Sequence, residues 1–419
     1  MVCYTKCLIM ESHFSSDFFV GNRQKLKELF TGTAPIVVTA NGLLQRGADT
    51  TCAFTQDANF WYLTGIDEPD VVLVLDRDKE YLIVPGRSVS RQAFDGAITD
   101  EVLSRQAGIA EIYDDTAGWE ILGKRLQKVK HVATVAPPPA YVEQYGLYTN
   151  PARTTLIDRL KAHKHDIELL DIGQHLGRMR MIKQEPELAA LQTAIDITIG
   201  SLKEALRPTK LQRYQYEYEL EAQIGYGFRR RGAAGHAFEP IVAGGARACT
   251  LHNVSNNGTI SADELVLADV GAEVEHYAAD ITRTRSIGTA SRRQQAVHAA
   301  VLEAQQYAMQ LLRPGVLMRE YEAQVEGFLG EKLRALGLLK TIEHAMVRHY
   351  CPHATSHFLG LNVHDVGDYE RPLEPGMVLT VEPGIYIPEE AIGVRIEDDV
   401  LITARGNKNL SRKLSSDLR

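Results

Sequence analysis

Residues 265–285 read LVLADVGAEVEHYAADITRTR, and this stretch is the most informative about the fold of the second half of the chain. Its apolar and β-branched runs predict an antiparallel hairpin whose second strand covers residues 276–286. Asp269 and Asp280 interrupt the two strands, where an ionised carboxylate is costly unless a positive charge meets it. With the turn centred near residues 274–275, the two aspartates lie opposite each other, with Cβ atoms about 5 Å apart.

A second hairpin of the same kind is predicted in residues 378–400, which read VLTVEPGIYIPEEAIGVRIEDDV. Glu382 and Glu397 interrupt its strands, 377–387 and 392–402, and they face each other if the turn lies midway between them. Two such hairpins would gather four carboxylates, which repel one another unless they are neutralised. Two divalent cations carry the four positive charges required; the alternative is four separate acids, each solvated or paired with a base.

A third segment, residues 353–367, reads HATSHFLGLNVHDVG and holds His353, His357 and His364 among glycines that let the backbone approach a site closely. A single histidine is more often a hydrogen-bonded polar residue than a ligand, but three beside a carboxylate cluster favour a metal site. One imidazole with four carboxylates favours Mn²⁺, Co²⁺ or Fe²⁺ and also admits Zn²⁺. His252, which follows a loop with a Gly-Gly pair, is a weaker candidate for the same site.

The two halves of the chain differ in their hydrophobic patterns. The first half, residues 1–174, predicts an α/β domain with strands at 36–38, 71–75 and 81–84 and helices at 98–107 and 116–129. The second half, residues 175–419, combines helices with hairpins and predicts an α+β domain. Its predicted helices are 186–206, 212–229, one that begins after Ser291 and stops at Pro314, and 318–336.

The composition excludes several classes of function. With 46 basic and 54 acidic residues the formal charge is −8, which argues against a nucleic-acid binder. No apolar run reaches the roughly 18 residues that span a bilayer, so no membrane partner is expected. Five widely spaced cysteines favour a reducing, cytoplasmic setting over a disulfide framework. Cys3 and Cys7 would make half of a metal clip, but no second pair completes it.

Other motifs and charges add little. There is no P-loop, no GxGxxG after a strand and no G-x-S-x-G, so nucleotide binding and serine hydrolysis are disfavoured. Asp365, Glu374, Asp398 and Asp399 are expected to be surface or turn acids, or to support the ligands. The basic segment after Ala404 is expected to be a solvated end.

The order of the chemically active residues resembles that of one family, the pita-bread metallopeptidases, which include aminopeptidase P, prolidase and methionine aminopeptidase. Their ligands run Asp, Asp, His, Glu, Glu, with eleven residues from the first Asp to the second. The matching residues here are Asp269, Asp280, His357, Glu382 and Glu397.

The first half is similar to the family's amino-terminal domain through residues 54–65, FTQDANFWYLTG. This similarity, and the form of residues 353–367, favour aminopeptidase P over prolidase. Two departures, Ala354 in place of a usual Gly and Phe94 in place of a common Trp, leave the fine substrate preference open.

The resemblance implies a fold and a metal centre. The amino-terminal domain would be of the creatinase and aminopeptidase P type, and the carboxy-terminal domain would have the α+β pita-bread fold. Asp280 and Glu397 would bridge two divalent ions, Mn²⁺ in first place, with His357 and Glu382 completing one sphere and Asp269 the other.

The resemblance also implies a reaction, the hydrolysis of the N-terminal Xaa-Pro bond of peptides by a hydroxide held between the two ions. Glu382 would act as general base and then acid. His252, His353 and His364 would bind the substrate carbonyls and the oxyanion, and Arg395 would orient the carboxylates.

Alternatives to this function are a prolidase, which cleaves only Xaa-Pro dipeptides, and a non-catalytic pita-bread binding protein. Methionine aminopeptidase usually lacks so large an amino-terminal domain, and creatine-type amidinohydrolases lack the five ligands. Family members commonly assemble through the amino-terminal domain, so a homodimer or homotetramer is expected.

Overall fold

A computed structural model describes residues 12–77, 79–86, 92–94, 96, 98–137 and 144–419. Cys3 and Cys7, with the metal clip considered for them, lie outside the described residues. The chain divides into two compact units, Phe14–Met179 and Arg180–Arg419, with residues 12–13 belonging to the second. The assignment of functional domains to residues 1–174 and 175–419 stays a prediction.

The amino-terminal unit is built on a mixed six-stranded sheet with the strand order β4-β3-β2-β1-β5-β6. Strands β1, β2 and β3 pair antiparallel, and the remaining neighbours pair parallel. The strands are β1 Ile36–Thr39, β2 Val72–Asp76, β3 Lys79–Val84, β4 Glu111–Asp114, β5 His131–Thr134 and β6 Glu168–Asp171.

Helices accompany this sheet, as the predicted α/β class requires. They are α1 Ser16–Leu29, α2 Ala58–Thr64, α3 Asp100–Ala107, α4 Asp115–Leu126, α5 Ala152–His163 and α6 Gly173–Met181, of which the sequence predicted only α3 and α4. Trp119 and Leu122 of α4 and Leu160 of α5 pack with Val37 and Val74 of the sheet in one apolar core. Burial of these side chains stabilises the unit by roughly 25 cal/mol per Å² of apolar surface.

The FTQDANFWYLTG segment is a folding signal of this unit. The Asp57 carboxylate accepts the N–H groups of Asn59 and Phe60 and so caps α2. Gly65 ends the helix in the left-handed conformation, with φ of 68°. The motif that carried the amino-terminal resemblance therefore works locally, as a start signal and a stop signal around a buried helix.

The carboxy-terminal unit combines helices with short antiparallel strands. Its helices are α7 Glu185–Ala205, α8 Pro208–Leu211, α9 Glu217–Arg230, α10 Arg292–Leu311, α11 Met318–Ala335 and α12 His344–Tyr350. Its strands are β7 Gly235–His236, β8 Ile241–Gly244, β9 Leu265–Val270, β10 Ala272–Val274, β11 Tyr277–Ala278, β12 Ile281–Ser286, β13 Val378–Val381, β14 Gly384–Ile387, β15 Ile392–Arg395, β16 Asp398–Thr403 and β17 Gly406–Asn409.

Three of the four predicted helices of this unit lie where the sequence placed them. Ser291 caps α10, with its hydroxyl accepting from the Gln294 N–H at 3.1 Å and the Gln294 side chain accepting from the Ser291 N–H at 2.8 Å. The helix predicted from residue 212 begins only at Glu217, because Pro208 starts the separate short helix α8 before it. Helix α12 was not predicted.

Three predicted strands are interrupted at their acidic residues. The segment 276–286 divides into β11 and β12 around Asp280, 377–387 divides into β13 and β14 at Glu382, and 392–402 divides into β15 and β16 at Glu397. A residue in such a break has no ladder partner, so its backbone groups need other hydrogen bonds. Each acid therefore stands at a junction between sheets.

The predicted register is right for one hairpin and wrong for the other. Gly384 pairs with Arg395 and Val381 with Asp398, which places Glu382 opposite Glu397 as predicted. In the first hairpin, however, Asp269 pairs with Thr282, so Asp280 is its diagonal neighbour on the same face.

The cause of that shift is the turn of the first hairpin. The turn consists of Glu275 and His276, with φ of 47° and 68°. Two residues with positive φ form the tight turn that suits the twist of antiparallel strands. Neither residue carries the usual Asn-Gly signal, and the sequence therefore misplaced the turn by one residue.

The expectation of a solvated basic end holds for its charged side chains but not for the whole segment. The five basic residues are exposed: Arg405, Lys408, Arg412, Lys413 and Arg419. Strand β17 pairs with β16, Ser411 and Leu414 are buried, and the Ser286 N–H donates to the Leu418 carbonyl at 2.8 Å. Strand β12 is the edge of its three-stranded sheet, so its outer backbone groups need a cover. The segment of residues 411–419 supplies it.

Among the described residues, none of the helices combines the length and apolar character needed to cross a bilayer.

Gly271→Ala should destabilise the fold at the junction that carries Asp280. A Cβ at Gly271 would lie 1.7 Å from the Ala279 carbonyl oxygen, so the two strands would have to separate. Overpacking of this kind costs about 1–3 kcal/mol, measurable by urea unfolding. The control is Gly327→Ala in α11, where a Cβ meets nothing within 4 Å and stability should rise slightly. Equal effects of the two changes would contradict this account.

Candidate metal centre

Side chains from three segments meet at one point in the carboxy-terminal unit. Asp280, His357 and Glu397 each offer a ligand atom, and these atoms lie within 4.8 Å of one another. The His357 Nε2 is also 3.3 Å from Glu382 Oε1 and 3.5 Å from Asp280 Oδ2. Four residues that the sequence singled out over a span of more than a hundred positions are therefore neighbours in space.

Asp269 is the fifth member of the set. Its Oδ2 accepts from the Arg395 guanidinium at 2.5 Å, whereas its buried Oδ1 has no hydrogen-bond partner. A buried acceptor without a partner costs about 1–3 kcal/mol, which a cation beside it would offset. The orphaned oxygen and the hard, oxygen-rich donor set both fit divalent metal ions, which Asp269, Asp280, His357, Glu382 and Glu397 would hold.

Burial and mutual repulsion raise the pKa of the acids in this cluster. Burial is the main cause at Asp280 and at Glu397, whose pKa values lie well above the ordinary range, with repulsion from the neighbouring acids added. The pKa of Glu382 is raised to about 8, again chiefly by burial. Bound cations would reverse these shifts, because they stabilise the charged carboxylates.

The His357 ring is in the state that a metal ligand requires. Burial, with the His364 ring beside it, lowers the pKa of His357 to about 4, so the imidazole is neutral at physiological pH. Its Nδ1 lies 3.0 Å from the Phe358 carbonyl, which we take as its hydrogen-bond acceptor. The lone pair of Nε2 is then directed to the acids, as in metal-binding histidines generally.

Thr380 ties His357 to Glu382. The His357 N–H donates to the Thr380 hydroxyl at 3.1 Å, and this hydroxyl donates to Glu382 Oε1 at 3.2 Å. The Glu382 N–H donates to the Thr355 carbonyl at 2.9 Å, so the histidine loop pairs with the end of β13. Thr380 lies inside an apolar strand, and nothing in the sequence marked it as part of the site.

Arg395 orients several groups at once and is almost fully buried. Besides Asp269 it donates to the Tyr386 hydroxyl at 2.7 Å and to the Thr282 hydroxyl at 3.2 Å. Thr282 in turn donates to Glu397 Oε2 at 2.6 Å. The sequence predicted the orienting role of Arg395 but not the two hydroxyl groups, which have no signature of their own.

The remaining histidines differ in exposure. The His353 Nε2 lies 2.8 Å from the Tyr386 hydroxyl and its Nδ1 lies 2.8 Å from the Ala354 carbonyl, so both ring nitrogens are engaged. His364 is exposed, and its ring centroid is 4.4 Å from that of His357. The pKa of His364 is lowered, chiefly because neighbouring groups partly desolvate its ring and then because His252, which is also exposed, lies nearby.

The four acids that the sequence left outside the ligand set have different environments. The Glu374 side chain is 47% exposed and pairs with Arg371 at 3.0 Å, as expected for a surface acid. A surface or turn position is wrong for the other three, which are buried: Asp365, Asp398 and Asp399. Each of these three aspartates contacts partners that only the tertiary fold brings near. The local sequence around them therefore did not predict their burial.

Asp399 and Asp365 illustrate such partners. Asp399 Oδ2 accepts the Asp280 N–H at 3.2 Å, directly behind the ligand cluster. Asp365 forms ion pairs with Arg180 and, at 3.2 Å, with Lys183, and all three side chains are at most 2% exposed. This buried cluster fixes the backbone beside His364.

Glu322 of α11 is a supporting residue that sequence reasoning missed. Its carboxylate accepts the N–H groups of Thr355 at 3.0 Å and Ser356 at 3.2 Å, which lie between His353 and His357. Burial raises the pKa of Glu322. A lone Glu in a helix is usually a solvated residue, so no sequence signal pointed to this contact.

The two compact units and the candidate metal-binding group of Asp280, His357 and Glu397 point to a metalloprotein, and comparison with known proteins gives its class. The profile of metallopeptidase family M24 matches residues 189–404, and that of the aminopeptidase P N-terminal domain matches residues 19–134. Xaa-Pro aminopeptidase of Haemophilus influenzae is 36% identical over 400 residues, with 89% of each chain covered. Xaa-Pro aminopeptidase 3 of Homo sapiens is 35% identical, covering 88% of this chain and 76% of the relative.

A solved structure shows the same fold. The zinc-substituted aminopeptidase P of Escherichia coli in complex with product has a TM-score of 0.86 and 29% identity, with 97% of each chain covered. The chain belongs to metallopeptidase family M24. It is a hydrolase with an amino-terminal domain of the aminopeptidase P type and a pita-bread catalytic domain, as the sequence predicted.

The stability of protein freed of divalent metals should fall as the pH rises from about 6.5 to about 8. The pKa of Glu382 is about 8 in the folded protein against an ordinary value of 4.5, so the folded state binds more protons in this window. Stability present at low pH is then lost as pH rises, by about 1.4 kcal/mol per pH unit for each extra proton. His353 and His357, with pKa values of about 4, act oppositely below pH 6.5 and not within the window.

Urea unfolding with a chelator, at half-unit steps of pH, measures this effect. Saturating Mn²⁺ should remove the decline, because bound cations lower the pKa of the acids. A chelated protein whose stability rises across the window would refute the assignment of raised pKa values to this cluster.

Asp365→Ala should lower the free energy of unfolding by about 3–5 kcal/mol, because it removes the buried carboxylate that forms ion pairs with Arg180 and Lys183. The control is Asp196→Ala, whose 3.1 Å pair with Lys413 is exposed and should be worth at most about 1 kcal/mol. Chemical denaturation gives the free energy of unfolding of both variants. A loss for Asp365→Ala as small as that for Asp196→Ala would show that the Asp365 ion pairs do not stabilise the fold.

Proposed function

We propose that this hydrolase removes the N-terminal residue from peptides whose second residue is proline. The observation that carries the proposal is that ligand atoms of Asp280, His357 and Glu397 lie within 4.8 Å of one another, with Glu382 Oε1 3.3 Å from the His357 Nε2. Asp269 is included because its buried Oδ1 has no hydrogen-bond partner. The relatives named Xaa-Pro aminopeptidase support the specificity. The prolidase alternative is not favoured, because both the amino-terminal profile and the solved neighbour are of aminopeptidase P.

We assign the metal set to those five residues, with Mn²⁺ as the first choice because carboxylate oxygens predominate among the donors. Two divalent ions bound there would supply Lewis acidity, which polarises a carbonyl and acidifies water. Asp269, Asp280, His357, Glu382 and Glu397 would hold the ions, and Asp269 would offer its unpaired Oδ1.

Glu382 is the proton carrier in the proposed mechanism. Its side chain is 16% exposed, which leaves it accessible to a water molecule at the site. It takes a proton from the attacking water and passes it to the departing nitrogen, a role typically worth about 10²–10⁴ in rate. The leaving nitrogen belongs to a proline, and it must gain this proton to depart as a secondary amine when the C–N bond breaks.

We propose that the histidines divide the work according to their exposure. His252 and His364 are exposed and donate hydrogen bonds to the substrate carbonyl and the oxyanion. His353, whose two ring nitrogens are already engaged, contributes through the Tyr386 hydroxyl that Arg395 also binds. Arg395 holds Asp269 in place and keeps a positive charge beside the acids.

The cellular setting is also a proposal. Cys52, Cys249 and Cys351 are free thiols, which supports a reducing, cytoplasmic location. A homodimer or homotetramer remains our expectation from the resemblance to the family.

The chain loaded with Mn²⁺ should release the first residue of an Xaa-Pro-Xaa tripeptide and cleave the matching Xaa-Pro dipeptide far more slowly. Amino-acid release measured by chromatography gives kcat/KM for both peptides. Chelation and Glu382→Gln should each reduce the rate by at least about 10²-fold. Glu374→Gln, at a solvent-accessible acid, is the control and should retain full rate. Faster cleavage of the dipeptide, or no cleavage with Mn²⁺, Co²⁺ or Zn²⁺, would reject the proposal.

A further inference from the structure

Arg283 is buried and has every hydrogen-bond donor satisfied. Its side chain is 1% exposed, although the position lies in a strand of alternating Thr and Arg residues. The five N–H groups of its guanidinium donate to five acceptors: the carbonyls of Thr282 at 2.9 Å, Glu397 at 2.6 Å, Leu414 at 3.0 Å and Ser415 at 3.0 Å, and Asp398 Oδ1 at 2.6 Å. A planar fork is the one side chain able to make such a set.

One of these acceptors, the Glu397 carbonyl, lies in the break between β15 and β16, and Asp398 begins β16. Glu397 lies in that break, so no strand of its own sheet satisfies its backbone. Its N–H donates to the Thr282 carbonyl at 3.1 Å, and its carbonyl accepts from Arg283. Its carboxylate accepts from the Thr282 hydroxyl at 2.6 Å. Strand β12 therefore holds Glu397 by the backbone on both sides and by the side chain.

The other two backbone acceptors lie in residues 411–419. The Leu414 and Ser415 carbonyls fix the outer edge of the Arg283 guanidinium, and Asp398 fixes it from the side. Gln305 and Asn409 donate to the second oxygen of Asp398, at 2.9 Å each. The position of Arg283 thus depends on the segment that covers the edge of β12.

We propose that Arg283 is the positioning residue for Glu397, and that residues 411–419, by holding Arg283, form part of the scaffold of the metal centre. The proposal rests on the assignment of Glu397 to the metal set in the proposed function. Arg283 itself touches neither substrate nor metal. It replaces the ladder hydrogen bond that Glu397 gives up by standing in a strand break, and so sets the direction of the carboxylate.

Arg285 offers a matched control on the same strand. It is also buried, and it donates to the Ser415 carbonyl at 2.8 Å and to the Arg419 carbonyl at 3.3 Å. It shares with Arg283 the charge, the strand and the contact with residues 411–419. The hydrogen bonds to Glu397 and Asp398 are made by Arg283.

The experiment compares Arg283→Lys and Arg285→Lys in the full chain. A lysine keeps the charge but has three donors on one atom, so it cannot reach all five acceptors of Arg283. Four quantities are measured: the Mn²⁺ Kd of the metal-free protein by calorimetry, the ligand-field spectrum of the Co²⁺-loaded protein, kcat and KM for the tripeptide, and Tm.

Arg283→Lys should weaken Mn²⁺ binding by about 10–100-fold, as loss of a residue supporting a ligand typically does. It should also shift the Co²⁺ spectrum and lower kcat with little change in KM. Arg285→Lys should lower Tm while leaving Kd, the spectrum and kcat near the wild-type values. A wild-type Kd and spectrum for Arg283→Lys, or equal metal defects in both variants, would overturn the proposal.

Asp398→Asn is the second variant, which decides the question if Arg283→Lys does not fold. It removes a charge that orients the Arg283 guanidinium and keeps the side-chain shape. We expect a smaller change of the same kind in Kd and in the Co²⁺ spectrum, and wild-type values for both would overturn the proposal. A wild-type protein that binds Mn²⁺ but cleaves no tripeptide would refute the proposed function and leave this comparison of metal binding intact.

Discussion

The acids of the candidate metal centre are the constraint on which the carboxy-terminal unit is built: Asp269, Asp280 and Glu397 are buried, and Glu382 is 16% exposed. Each would be costly to bury as an isolated charge, and together they repel. The elevated pKa values of Asp280, Glu382 and Glu397 express that cost. Bound divalent cations would offset this free-energy cost, and the relief of repulsion between the acids would favour cation binding. The surrounding hydrogen bonds hold the acids together although their repulsion favours moving apart.

Three of the four acids, Asp280, Glu382 and Glu397, lie in strand breaks, whereas Asp269 lies within β9. A regular strand alternates side chains between its faces, and it cannot direct several acids from two hairpins at one point without bending. At each break the hydrogen bonds between strands stop for about two residues. The acidic side chain therefore lies where two sheets meet. The backbone groups that lose their ladder partners are then satisfied from outside, as Thr282 and Arg283 do for Glu397.

The site also has a direction. Asp269, Asp280 and Glu397 are buried, whereas His252 and His364 are exposed, and the His364 ring centroid lies 4.4 Å from that of His357. A hydrolase of this family needs both buried and exposed residues at its site. The buried acids bind metal ions out of contact with solvent, and the exposed residues leave a path for the peptide. The supporting carboxylates and hydroxyls lie on the buried side, and their hydrogen bonds keep the ligands in place before any peptide arrives.

The sequence by itself determined the chemistry and most of the helices of the carboxy-terminal unit. The four acids stood out because a carboxylate in an apolar strand is costly unless a positive charge meets it, and the family resemblance added His357 to them. Ser291 marks the start of α10 through a side-chain cap, and Pro186 suits the first turn of α7 because its φ is fixed. The register of Glu382 with Glu397 followed from counting residues about a turn.

Only the tertiary structure decided the remainder. The type of turn at Glu275 and His276 moved Asp280 to a diagonal position, and its backbone angles were not encoded by the usual turn residues. The burial of Asp365 depends on partners about 180 residues away, and the support of Glu397 by residues 411–419 depends on contacts more than 130 residues from Arg283. Such contacts arise when segments distant in the chain pack together. The local sequence pattern does not predict which segments will be in contact.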